Sequence, residues 1–581
     1  MKTNITPLRS LTVATLLAAM LNASAKDLKT EITVDRTIVP VEREATRLGS
    51  LTPQLLSSPV TMRRLSLADY TDPAAITRSA STLNPAAYAD TFALSPYRGY
   101  ASLGYFPVFN LGASAGYKFI DNSRTRLGAW LQYDGYSYKP YDEKVSDGKY
   151  TNNAITVGAS LAQRVGSQSS VGARIGYTYG SVGLPSNFEN NSQNANIFDA
   201  DLSWWSRTRL IGYRLIAGFS HFGYGKDNYF DKTIFSDIPN RALTVKAASE
   251  NRFNFNGGLA FFGSSVSPRG GIDVSADFVS RKNGIELTPE NYQPISDGTL
   301  GIMSLTPYFT FHNGRMHGRV GVKVDLSVGG EGKKFHVAPD VMLDWNVTNQ
   351  FAIYAKISGG EHLNTLRSLY DYCPFVGGVW QYQRSNVPVT ADLGFNIGPF
   401  TGFSAKIFGG YAKANNWLMP QFSLLGMTSS STSGPIIEQT NYGAYNLEGW
   451  HAGVGLSYDW RSKVKAELTA ETASNDTEKA YYLWRDRAKY VINASVEVRP
   501  ISALKIGVGY ELRTDRHNYM NGVTPIELKS LSNLTLGASY EISNQLTVFA
   551  RGENLLNRHY NLVTDIQAQG LKGLLGLSYK F

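Results

Sequence analysis

Leu504-Lys505-Ile506-Gly507-Val508-Gly509-Tyr510-Glu511-Leu512-Arg513 places an apolar residue at every even position and a small or charged one at every odd position. A period of two belongs to a β-strand, whose successive side chains point to opposite faces. The same alternation sets Val320, Val322, Val324, Leu326 and Val328 against Arg319, Gly321, Lys323, Asp325 and Ser327. It returns in Val464, Ala466, Leu468 and Ala470, and again at the C-terminus in Gly573, Leu575, Leu577, Tyr579 and Phe581. One such segment would suit any half-buried strand. About twenty in succession from residue 97 onward, with no sustained helical periodicity, predict an all-β protein of antiparallel up-and-down strands.

Composition says which kind. The chain has 34 Tyr, 27 Phe, 9 Trp and 55 Gly but a single cysteine, Cys373, among 581 residues. Beyond the N-terminus no stretch approaches the roughly 20 apolar residues of a membrane helix. Aromatic and Gly enrichment without long apolar blocks fits a transmembrane β-barrel, in which every second residue faces lipid. The net charge of +9 is spread along the chain, so no nucleic-acid footprint is read.

Connections alternate in length. Short ones are expected at Asp121-Asn122-Ser123, Asn313-Gly314, Gly398-Pro399, Pro500-Ile501 and Ser543-Asn544, and long loops at 225–250, 282–300, 361–385, 416–447 and 515–526. Outer-membrane barrels have short periplasmic turns and long extracellular loops, so the asymmetry also orients the chain. Counting back from Phe581 gives about 22 strands with both barrel ends periplasmic. Trp204, Trp205, Trp345, Tyr458, Trp460, Tyr133 and Tyr136 lie near expected strand ends, where a ring with a polar edge suits the headgroup region.

The first 25 residues carry Lys2 and Arg9, an apolar run from Leu11 to Leu21 and Ala23-Ser24-Ala25, the pattern of a cleaved secretory signal. Residues 26–96 lack regular alternation and are read as a short periplasmic arm or partial lumen insert. The barrel proper is expected over 97–581, exported to the outer membrane of a Gram-negative cell. Outer-membrane lipid surrounds it and the barrel assembly machinery is its partner during biogenesis.

Near the C-terminus, Glu553-Asn554-Leu555-Leu556-Asn557-Arg558-His559-Tyr560 and the terminal aromatic Phe581 resemble the end of a TonB-dependent outer-membrane receptor. The resemblance implies a 22-strand barrel that moves a nutrient or solute across the outer membrane. It also implies a partner, the energy-coupling protein TonB, met through a short extended box that Thr37-Ile38-Val39-Pro40-Val41 resembles. Such receptors carry a larger N-terminal plug than residues 26–96 would make. The alternative is therefore a plugless barrel that scaffolds a complex with surface lipoproteins or secretion and assembly components.

No catalytic set, metal site or cofactor loop is read; the histidines are scattered, and the glycine clusters open no helix, so a non-enzyme is expected. Specificity is expected in the loops. Tyr370, Tyr372, Phe375, Trp380, Tyr382 and Trp417 would form an exposed aromatic surface for a ligand or a partner.

Overall fold

The computed structural model describes residues 97–581 apart from residues 108, 246 and 331 and the segments 142–147, 186–191, 227–242, 263–268, 283–284, 288–297, 376–383, 426–436, 461–462, 475–487, 521–523 and 564–565. The signal sequence, the arm and Thr37 to Val41 lie outside the described residues.

The main sheet has 23 strands, one of which, Thr524–Leu528, pairs only with the outer part of Leu504–Met520. The remaining 22 form a closed antiparallel wall, from β1 (Gly99–Phe106) to β22 (Lys572–Lys580), as the alternation and the resemblance predict. Closure follows the register Tyr100↔Lys580 to Tyr105↔Leu575. At its end the backbone N–H groups of Arg98 and Gly99 both donate to the Phe581 carbonyl at 2.8 Å, and Phe581 donates to the Gly99 carbonyl at 3.0 Å. Residue 99 is glycine for a steric reason, because the Phe581 ring fills the place a Cβ would take.

The wall is polar inside and apolar outside. In Met316–Val328, the side chains of Val320, Val322, Leu326 and Val328 are 46–50% exposed, whereas Gly321, Asp325 and Ser327 are buried. A soluble sheet would bury the valines; here the exposed face is the one that lipid covers. Tyr117, Trp204, Trp345, Tyr458, Trp460 and Phe581 are exposed toward the short-turn end, and Tyr411, Trp450 and Tyr490 toward the other, making two aromatic girdles. Tyr136, grouped with the girdle residues by sequence, instead turns into the lumen and is buried.

Two expected turns are displaced. Gly398-Pro399 lies inside Ser385–Phe400, and the chain reverses at Thr401-Gly402, both with positive φ, before Phe403–Leu425. Pro500-Ile501 likewise falls within Ala488–Ile501, and the reversal comes before Leu504–Met520. Register shifts at Ile397/Phe400 and Val498/Ile501 let each strand run past its proline. Two expected loops are largely strand. Phe403–Leu425 and Ile437–Trp460 stay paired from Trp417↔Tyr445 out to Leu425↔Ile437, and Leu504–Met520 pairs with Thr524–Leu528. Pairing satisfies backbone groups that a loop would leave to water.

Leu575 is exposed near the middle of β22 and faces lipid. Leu575→Arg is expected to destabilise the folded barrel by about 2–4 kcal/mol, and the same change at the inward-facing Asn493 by far less. Urea unfolding in lipid vesicles checks this, and equal costs at the two positions would contradict the assigned faces.

Candidate functional site

Two connections at the long-loop end turn into the lumen. The first is a strap, described over 363–375, that follows Phe351–His362, forms the short helix α1 (Leu366–Tyr372) and precedes Ser385–Phe400 in the chain. Thr365 starts the helix with a capping box: its Oγ1 accepts from the Ser368 amide at 2.9 Å, and its own amide donates to Ser368 Oγ at 3.1 Å. The Glu250 carboxylate, from Ser249–Phe261, accepts from the Leu366 and Arg367 amides at 2.7 and 3.0 Å. A carboxylate suits these amides because they carry the helix's positive end. Arg281 lies 3.7 Å from Glu250 and also donates to the Asn364 carbonyl. Asn364 in turn donates to Ser385 Oγ at 2.9 Å, and Ser385 donates to the Asn416 carbonyl at 2.8 Å.

The far side of the strap is seated on the wall by aromatic packing. The Tyr370 ring lies 5.3 Å from Phe222 and 6.3 Å from Tyr224, and Phe375 meets Tyr150 edge-on at 5.6 Å. Gly180 permits this approach, since the Tyr370 hydroxyl occupies the position of the missing Cβ. Burial pushes the Tyr370 phenol up to about 12. Cys373 is 1% exposed within the same cluster, which also includes Tyr138, Val182, Ile197, Leu366 and Ile566. The largest apolar core of the described residues thus sits inside the barrel mouth.

The second connection, 554–571, contains the receptor-like box. Asn554 and Asn557 have φ of 48° and 46°, a left-handed backbone that asparagine tolerates better than most residues. The Asn554 side chain accepts from the Arg558 amide at 2.9 Å and donates to the carbonyls of Arg558 and Gln569 at 2.9 and 3.0 Å. Asn557 Oδ1 accepts from the Leu571 amide at 3.0 Å. The two asparagines shape a turn, Leu555 covers Gly552, and Tyr560 is buried with Leu531 and Ala568. Leu556 is left exposed. Arg516 donates to the Asn561 and Leu562 carbonyls at 2.9 Å, and Tyr138 to the Gln567 carbonyl at 2.6 Å, so this connection too is tied to the lumen wall.

Between the two inward connections lies a cavity of about 290 Å³. Tyr136, Tyr370, Phe375 and Tyr560 give it aromatic surface, and its charged groups face one another in pairs. Arg513 meets Glu511 at 2.8 Å, Arg367 meets Asp371 at 2.8 Å, and Lys572 meets Glu553 at 3.2 Å. The site therefore offers polar geometry without a net charge.

The structure brings only part of the expected aromatic surface together. Tyr370 and Phe375 line the cavity, the latter buried, whereas Trp417, buried in the same apolar cluster, does not line it and stacks 5.5 Å from His362. These rings pack inward instead of forming an exposed face, because Gly180 and the tyrosines of the wall give them an apolar seat. Tyr372 ends α1, its side chain outside the described residues, as are Trp380 and Tyr382. Gln569, Glu553 and Lys572 were not singled out as binding residues by sequence; their signal is only that of inward polar positions, which every wide barrel has.

No family model matches the chain, and no curated protein does. Solved structures do. The siderophore receptor PirA from Acinetobacter baumannii aligns with a TM-score of 0.61 at 10% identity, over 84% of this chain and 81% of that one. A mutant of the ferric enterobactin receptor PfeA from Pseudomonas aeruginosa gives 0.62 at 11%, over 83% and 80%. The copper transporter OprC gives 0.58 at 10%, over 85% and 82%. The fold is that of an outer-membrane β-barrel. More narrowly, its 22-strand wall has the barrel fold of the receptor structures it matches.

Cys373, the sole cysteine, reports on the strap. Glu250→Ala removes a helix-capping carboxylate at a cost of about 1–2 kcal/mol, and Gly180→Val drives a side chain into Tyr370. Each is expected to raise the rate of Cys373 alkylation by iodoacetamide roughly tenfold or more while heat-modifiable migration on gels still shows a folded barrel. Unchanged alkylation in both variants would contradict the seat described.

Proposed function

We propose that this protein is a receptor-type barrel of the Gram-negative outer membrane that carries a nutrient or solute across it, with the strap as the barrier on the outer side. The observation that carries the reading is the strap itself, which crosses the lumen and is held there by Glu250 at one point and by the Tyr370 seat at another. Selective uptake needs such a closure, because a 22-strand lumen left open would pass small solutes without selection. The likeness to receptors named for siderophores and to a copper transporter supports the same reading. Nothing among the described residues favours the scaffold alternative.

In this reading Thr37 to Val41 pair in an extended conformation with a TonB-class protein, through main-chain hydrogen bonds of the strand-addition kind. Native co-purification with that protein is expected, and its loss on deleting residues 31–41 is the supporting result; retention after the deletion removes the box from the proposal.

Planar-bilayer recording tests the barrier. Wild-type protein is expected to be nearly silent, and deletion of residues 366–382 to produce large, steady channels. A wild-type conductance as large as that of the deletion would overturn the strap's role.

A further inference from the structure

The two ends of the lumen differ in charge. At the long-loop end the cations of the cavity are each met by a carboxylate. At the short-turn end Arg98, Arg164, Arg207, Arg269, Arg315 and Lys463 stand at the ends of wall strands, on hairpins spread around the rim and at the seam. Their backbones are still in the ladder. The carbonyls of Arg98, Arg269, Arg315 and Lys463 accept from the amides of Lys118, Thr310, Asn346 and Arg499 at 2.8, 3.0, 2.7 and 2.7 Å.

Alternation therefore fixes the face on which these side chains lie. Leu103 and Tyr105, Ile272 and Val274, Val320 and Val322, and Leu468 are exposed on the lipid side, so Arg98, Arg269, Arg315 and Lys463, of opposite parity, belong to the lumen. Arg207 follows the same rule, and its guanidinium lies 4.3 Å over the buried ring of Phe262. Arg98, Arg269, Arg315 and Lys463 are exposed, and none of these four makes an ion pair among the described residues. Arg315 reaches the Val347 carbonyl at 3.5 Å.

Several carboxylates at this level are already engaged. Asp121 is held by Lys118 and Arg126 at 3.0 and 3.2 Å, and Glu497 by Lys505 and Arg499 at 2.7 and 3.1 Å, while Asp459 lies 3.8 Å from Lys465. Among the described residues, Asp344, Glu467 and Glu541 are left against the ring, so the mouth is net positive. Residues 26–96 contain as many acidic as basic residues and bring no net charge to cancel it. Most ring positions are several strands apart at about 4.8 Å per strand, so no small molecule bridges them and the ring acts through its summed field. Rings of one sign around a wet opening in a low-dielectric wall decide which sign of solute passes. An anion moving inward from the neutral cavity is attracted to this mouth, whereas a free metal cation is repelled.

We infer that the short-turn mouth of the lumen is an anion-selective filter, and that the solute this barrel passes carries net negative charge. The inference rests on the transport reading for its purpose, since the field is measurable without transport.

Thiol reagents of opposite charge test it on the full chain folded in detergent. Asn346 is exposed on the lumen face beside Arg315, and Ala154 lines the neutral cavity. Asn346→Cys and Ala154→Cys are each reacted with anionic sulfonatoethyl and cationic trimethylammonioethyl methanethiosulfonate. Rates are taken relative to 2-mercaptoethanol and corrected for the buried Cys373 of the wild type. In about 10 mM salt, where the screening length is about 30 Å, Asn346→Cys is expected to favour the anionic reagent roughly threefold or more. Ala154→Cys is expected to favour neither. Combining Arg269→Gln, Arg315→Gln and Lys463→Gln in a barrel that still migrates as folded is expected to abolish the preference, as is about 1 M salt, which shortens screening to about 3 Å. An absent or reversed preference or no reaction in Asn346→Cys, an equal preference in Ala154→Cys, or a preference that survives the neutralisation would each overturn the filter. If the preference fails while deletion of the strap still opens channels, the solute's charge falls and the transport reading stands. If the preference holds while the deletion stays silent, the field stands and the strap's barrier role falls.

Discussion

Inside a lipid bilayer a backbone N–H has no water to bond, so every strand of a sheet must have a neighbour on both sides. In this chain the requirement comes to a point at one seam, where β1 meets β22. The rest of the wall is a run of hairpins between sequence neighbours, each of which pairs locally; only the seam joins residues nearly five hundred positions apart. Gly99 and Phe581 make that junction by exchanging backbone bonds while the aromatic ring lies over the bare glycine. Closure is also what allows the lumen to be polar, since the wall's own hydrogen bonds are already complete.

With the wall saturated, the interior is free to carry other structure, and it does so at one end. The strap and the 554–571 connection meet over a shared apolar cluster that runs from Phe222 and Tyr150 through Leu366 and Phe375 to Ile566. Glu250 and Arg516 play matching parts here. One is an acidic group that receives the strap's helix, the other a basic group that receives the carbonyls of the C-terminal connection. Each places a charge where the backbone presents the opposite partial charge.

The wall was legible in the sequence because a half-lipid, half-lumen strand leaves a period of two that survives in residues such as Val320 to Val328 and Leu504 to Arg513. Turn positions were less so: Gly398-Pro399 and Pro500-Ile501 read as reversals, but a bulge absorbs each proline and the strand continues. The site was legible only in fragments. Tyr370 and Phe375 stood out as loop aromatics, yet nothing local announced that they would fold inward, since their seat comes from Gly180, Phe222 and Tyr150, far off in sequence. The Asn-Leu-Leu-Asn box was recognisable as a family likeness, whereas its physical content, two left-handed asparagines bracketing a turn, needed the backbone.

The strap lies between adjacent wall strands in sequence, and its described residues meet the far side of the lumen through side-chain packing and capping bonds. Lifting it would break none of the hydrogen bonds between wall strands. The free energy that seats the strap is therefore local, made of the helix cap and the apolar burial of Leu366, Leu369, Cys373 and Phe375, while the hydrogen bonds of the wall belong to the seam and the ladders. Substitutions at Gly180, Glu250 or Tyr370 can then change how firmly the strap is seated while the hydrogen-bonded ladders of the wall stay intact.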